Sequence, residues 1–131
     1  MTGLDTNVLV RFFAQDDPDQ SSKADEVMRS LTAESPGFVG LAALLELAWV
    51  LGSKHRFDPI KLARAIDQLL LQEEIVVEQA ATVESALRLY RNGRADFADC
   101  LISVSAQAAG CRRTVTFDRK AARDAGMELL A

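Results

Sequence analysis

The chain of 131 residues carries 15 Lys and Arg against 19 Asp and Glu, is 49% hydrophobic, and has a net charge of −4. That length suits one compact domain, residues 1–131, and the apolar share is enough for a core, which excludes global disorder. No apolar run reaches the roughly 18 residues of a membrane span, because Glu46 breaks the stretch from Phe38 to Gly52. The N-terminus shows no basic region ahead of an apolar segment, so the expectation is a soluble, cytoplasmic protein with no membrane partner. Two cysteines, Cys100 and Cys111, make no disulfide framework. The single histidine, His55, leaves little for a nucleophilic triad or a zinc site, and the 7 glycines form no phosphate-binding loop. Any enzyme chemistry therefore falls to carboxylates.

In chain order, Gly3–Leu4 reads as a short buried strand running through Asp5 into a helix from Asn7 to Phe13. Pro18 to Leu31 places Ala24, Val27, Met28 and Leu31 on one helical face. Ser35-Pro36-Gly37 is a turn, Phe38-Val39 a short strand, and Leu41 to Gly52 a mostly apolar helix with one charge, Glu46. Asp58-Pro59 starts a helix that runs to Leu71. Ile75 to Val77 is a buried strand and Ala81 to Tyr90 a helix, closed by Asn92-Gly93 as a left-handed cap. Asp96 to Ala109 is helical, Thr114 to Phe117 a strand, Asp118 to Asp124 a short basic helix, and Met127 to Leu130 a last strand. Strands alternating with helices predict an α/β domain with a mostly parallel central sheet of four to five strands flanked by helices.

Four acids interrupt apolar patterns where burial is expected: Asp5, Glu46, Asp99 and Asp118. An unpaired buried carboxylate costs several kcal/mol, so each calls for a partner. Each also has a plain structural use. Asp5 and Asp118 stand at strand-to-helix junctions, where Asp is a favoured N-cap; Asp96 suits the cap of the helix that holds Asp99; Glu46 suits an arginine. Capping does not account for all four. Strand ends of a parallel sheet lie on one ligand-binding edge, and a hard cation such as Mg²⁺ or Mn²⁺ suits carboxylates better than thiols or a lone imidazole.

The stretches Leu4-Asp5-Thr6-Asn7-Val8-Leu9-Val10, Glu46-Leu47-Ala48-Trp49-Val50-Leu51, Ala95-Asp96-Phe97-Ala98-Asp99-Cys100-Leu101-Ile102 and Val115-Thr116-Phe117-Asp118 occur in the order found in PIN-domain ribonucleases. The chain particularly resembles the VapC toxins of bacterial toxin–antitoxin pairs, over almost its whole length. The resemblance implies a PIN-like fold and an acidic, Mg²⁺-dependent site, with Mn²⁺ able to substitute, that cleaves single-stranded RNA by metal-activated water and leaves 5′-phosphate and 3′-hydroxyl ends. It assigns the catalytic set to Asp5, Glu46, Asp99 and Asp118. Asp5 and Asp99 are then direct metal ligands, Glu46 and Asp118 are able to join them, and Asp96 is secondary. Thr6, Asn7 and Thr116 would orient the carboxylates by hydrogen bonding. The partners implied are RNA, a cognate antitoxin protein and a second copy of the chain as a homodimer.

Charge distribution adds to this reading. From Arg88 to Arg123 there are eight basic and three acidic residues, so an acidic protein holds a segment of net +5. Arg94, Arg112, Arg113, Arg119 and Lys120 are the candidate RNA-backbone contacts on that rim. Two rivals remain. A haloacid-dehalogenase-type phosphatase would need an acid two residues after Asp5, where Asn7 stands; a non-catalytic PIN-like RNA-binding or assembly module would not need the intact acidic set. Trp49 and Cys100 are expected in the core, and His55 in an exposed loop.

Overall fold

The computed structural model describes residues 1–131, which divide into two compact units, Met1–Ala80 and Ala81–Ala131. In the first unit the order is β1 (Thr2–Gly3), α1 (Thr6–Ala14), α2 (Pro18–Ser30), β2 (Gly37–Val39), α3 (Leu41–Ser53), α4 (Pro59–Leu71) and β3 (Ile75–Val77). The second holds α5 (Ala80–Asn92), which starts at the boundary, then α6 (Phe97–Ala108), β4 (Val115–Thr116), α7 (Arg119–Asp124) and β5 (Glu128–Leu129). The five strands form two ladders, β1-β2-β3 and β4-β5, and every pairing is parallel.

Side-chain periodicity explains most of these elements. In β3, Ile75 and Val77 are buried and Val76 faces out, the alternation of a pleated strand. Leu44, Leu47, Ala48 and Leu51 bury one face of α3, and Leu62, Ala63, Ala65, Ile66 and Leu69 bury one face of α4. Helix α1 packs on α2 and α3, α3 on α4, and α4 on β3. The result is a core of fully enclosed Leu9, Val39, Leu44, Leu47, Leu51, Ile66 and Leu69. In the second unit Val83, Ala86 and Leu87 of α5 are buried, as are Phe97, Cys100 and Leu101 of α6. Tyr90 meets Phe97 edge-on, with ring centroids 5.8 Å apart.

Helix ends follow local chemistry. Asp5, Asp17, Asp58 and Asp118 cap α1, α2, α4 and α7 by accepting backbone N–H bonds, and Pro18 and Pro59 occupy first helical turns. Gly40 at the start of α3 has no side chain to do this. Glu78, just past β3, reaches across to accept from the Leu41 N–H at 2.8 Å.

Several expectations are corrected. The first strand is Thr2–Gly3 and exposed, with only the following Leu4 buried. In α2 the inward stripe is Ser21, Ala24 and Met28, while Val27 faces out; the Ser21 hydroxyl is satisfied by donating to the Arg11 carbonyl at 3.0 Å. Asn92-Gly93 is not a left-handed cap; the left-handed glycines are Gly110 (φ 97°) after α6 and Gly126 (φ 73°) after α7. A Cβ at position 93 would meet the Leu89 and Asp124 carbonyls at ordinary contact distances of 3.4 and 3.5 Å, so the backbone there does not require glycine. Trp49, expected in the core, is 65% exposed, and its place on the inner face of α3 is taken by Leu47, Ala48 and Leu51. His55 is half-buried, with Nδ1 3.6 Å from the Asp16 carboxylate.

The burial pattern yields a paired expectation on one helix. Leu47→Ala, which hollows the core, should cost about 2–5 kcal/mol of unfolding free energy in urea titrations. Trp49→Ala, on the exposed face, should stay within about 0.5 kcal/mol of the native protein. Equal losses at the two positions would contradict the assignment of faces.

Candidate active site

The acidic residues divide between the units. In the first, the chain leaves β1, passes the buried Leu4 and turns into α1 at Asp5. There Oδ1 accepts from the Thr6 N–H at 2.8 Å. The Thr6 hydroxyl, 6% exposed, donates to Oε1 of Glu46 at 2.9 Å, which ties the start of α1 to the middle of α3. Glu46 therefore has a hydroxyl partner, not the arginine that sequence suggested. Thr6 is thus the residue that hydrogen-bonds this carboxylate. Asn7 is exposed and lines a groove with Arg11, Gln20 and Lys23, touching none of the acids by hydrogen bond.

In the second unit β4 delivers Asp118 to the start of α7, where Oδ1 accepts from the N–H groups of Lys120 at 2.8 Å and Ala121 at 3.2 Å. Thr116 acts on the backbone and not on a carboxylate, its hydroxyl accepting from the Asp118 N–H at 3.0 Å. Asp96 occupies the N-cap position of α6 without making a capping bond; its carboxylate faces the Lys120 ammonium at 3.4 Å. Asp99 lies in the first turn of α6 and is half-buried. Burial, then the negative charges of Asp96 and Asp118, push its carboxyl above the ordinary carboxylate value, and Lys120 offsets this only in part.

Burial is the main correction to the sequence reading. Asp5, Glu46 and Asp118 are exposed, and Asp99 is the one partly enclosed acid of the four. Water solvates the carboxylates at the helix starts, so their places in apolar stretches reflect helix geometry and not enclosure. Cys100 is fully buried, as expected. Burial pushes its thiol up to about 11, with Asp99 and Asp96 adding to the shift, so it stays protonated and inert near neutral pH.

The donor chemistry of the second unit fits a hard divalent cation. Asp99 experiences two like charges, and an ion with a preference for oxygen would relieve that repulsion. No three His, Cys, Asp or Glu side chains close around a common point. Mg²⁺ retains several waters and is commonly held by only one or two protein carboxylates, the donor type that Asp99 offers.

The candidate phosphate contacts fall into two groups. Arg113 is paired with Glu128 at 2.9 Å and Lys120 with Asp96, while Arg94, Arg112 and Arg119 stand exposed. Arg123 is engaged by Asp124, whose carboxyl it holds below the usual range.

Parallel strands flanked by helices, with acids at the helix starts, define an α/β fold, and sequence comparison gives its family. The PIN domain profile matches residues 4–126, and the chain belongs to the PIN-domain family. It is 25% identical over 118 residues to a VapC ribonuclease of Aquifex aeolicus (strain VF5), an alignment covering 89% of this chain and 87% of that protein. No helix is long and apolar enough to cross a membrane.

The repulsion on Asp99 has a thermodynamic sign. A carboxyl raised on folding favours the native state below its unfolded pKa, and that benefit is lost as pH rises through the folded pKa. In EDTA at neutral pH, Asp99→Asn should therefore melt at a higher temperature than the wild-type protein, with the difference vanishing below the ordinary carboxylate pKa. Coincident melting at neutral pH would mean that Asp99 is not under strain.

Proposed function

We propose that the chain is a Mg²⁺-dependent endoribonuclease that cleaves single-stranded RNA and serves as the toxin of a toxin–antitoxin pair, with residues 1–131 acting as one PIN-like nuclease domain. The observation that carries this reading is Asp99, a partly enclosed carboxylate in the first turn of α6 whose ionisation is opposed by burial and by the charges of Asp96 and Asp118, an environment that an oxygen-preferring cation would relieve. The order of the four acidic stretches and the VapC relative support the assignment of RNA as substrate.

Asp5 and Asp99 are the proposed ligands, Glu46 and Asp118 contribute further oxygen atoms, and Asp96 is secondary because Lys120 already partners it. When bound, Mg²⁺, or Mn²⁺ in its place, supplies an acidic water and positive charge opposite the charge that builds at phosphorus. The chain's own groups set the geometry. Capping bonds from the helix starts hold one oxygen of Asp5 and one of Asp118, leaving each a second oxygen, and the Thr6 hydroxyl fixes Glu46. Asp99 or Glu46 would help orient the attacking water. Arg94, Arg112 and Arg119 supply exposed positive charge for the RNA backbone, which the acids alone would repel. A cognate antitoxin with a basic side chain and a second copy of the chain are the proposed protein partners.

Purified Asp99→Asn, which keeps volume and removes charge, should cleave single-stranded RNA at least about a hundredfold more slowly than wild type while keeping its far-ultraviolet spectrum. Cleavage at the wild-type rate would refute the assignment. Mg²⁺ at a hundred times its Kd should stabilise the wild-type protein by about 2.7 kcal/mol, and Asp99→Asn should lose most of that gain.

Charge reversal at Arg112 and Arg119, neither of which is held in an ion pair, should weaken RNA binding. Each lost phosphate contact should lower the slope of log K against log salt by about 0.7. An unchanged slope would show that these arginines only solvate the surface.

A further inference from the structure

Phe117 is 80% exposed, more than any other large apolar side chain of the protein. It sits where the chain leaves β4 and bends toward α7, one residue before Asp118. The backbone on both sides of it is pinned. The Thr116 carbonyl accepts from the Leu130 N–H at 2.8 Å, which ties the end of β4 to the end of β5. The Thr116 hydroxyl reaches past Phe117 to accept from the Asp118 N–H at 3.0 Å, and Asp118 accepts in turn from the N–H groups of Lys120 and Ala121. Ala121, 1% exposed, anchors α7. So exposed a ring on so constrained a backbone adds almost nothing to the core, where a phenyl group contributes most. Two residues on, Arg119 opens α7; it is exposed and stands outside the ion pairs that engage Lys120 and Arg123.

Resting on the ribonuclease reading above, we propose that Phe117 is the base platform of the substrate site: an unpaired base stacks on its ring and Arg119 takes an adjoining phosphate. The nucleotide so held is the one presented to Asp118, the next residue of the chain. A ring whose backbone is already fixed loses little freedom on binding, which favours a stacking contact. Bases are free to stack on a side chain only where the strand is unpaired, so the platform reads single-strandedness, a property that phosphate contacts alone do not report. A second copy of the chain suits this surface poorly, since a two-fold contact through it would bring Arg119 against its own copy.

The test compares oligouridylate with a ribose-phosphate chain of the same length that lacks its bases, each end-labelled and titrated with protein in EDTA at low salt. Wild type should bind oligouridylate about tenfold more tightly than the baseless chain. Phe117→Ala should lose most of that preference while binding the baseless chain as wild type does, and Phe117→Tyr, which keeps a ring, should restore it. Arg119→Ala should weaken both ligands alike and lower the salt slope by about 0.7. A Phe117→Ala protein that still prefers oligouridylate tenfold would overturn the platform and leave the nuclease reading standing. Dissociation of a wild-type oligomer by Phe117→Ala in sedimentation velocity, with the base preference unchanged, would assign the ring to self-association and also overturn it. Failure of the wild-type protein to bind oligouridylate in EDTA or in Mg²⁺ would remove the RNA-directed function itself.

Discussion

A parallel ladder delivers the carboxyl ends of its strands to one edge, and a helix that follows such a strand begins there with its backbone N–H groups unpaired. That constraint sets where acids are useful in each unit of this protein. Asp5 after β1 and Asp118 after β4 each spend one oxygen on those N–H groups. The bond fixes the carboxylate in place without consuming it. An aspartate so held is a cap and a candidate ligand at once, so the two readings do not compete.

Asp99 is different in kind. It caps nothing, and it sits where Asp96 and Asp118 oppose its ionisation. Helix α6 tolerates it because the first turn of a helix favours negative charge and because Lys120 lies beside Asp96. Neither compensation is complete, which is why the strain concentrates on one residue. The adjacent Cys100, on the buried side of the same turn, is carried to the opposite extreme: a neutral thiol in the core.

Much of this was legible in the sequence because it depends on neighbours in the chain. Asp58-Pro59 announces α4, and Ile75 to Val77 reads as a strand from its β-branched residues. What escaped depends on distant contacts. Nothing near Gly40 says that Glu78, 38 residues on, will cap α3, and nothing near Glu46 names Thr6 as its partner. Trp49 misled for a simpler reason. Apolar residues surround it all round the helix, so hydropathy could not tell which side faces water; Leu44, Leu47 and Leu51 claimed the core.

Binding of a hard divalent cation by the aspartates is the claim on which the functional account turns. Electron paramagnetic resonance of Mn²⁺ titrated with the protein measures it without any RNA present. The account predicts that the free-ion signal falls as wild-type protein is added and that Asp99→Asn leaves much more of it. A free-ion signal that keeps its full height with protein in excess would contradict it.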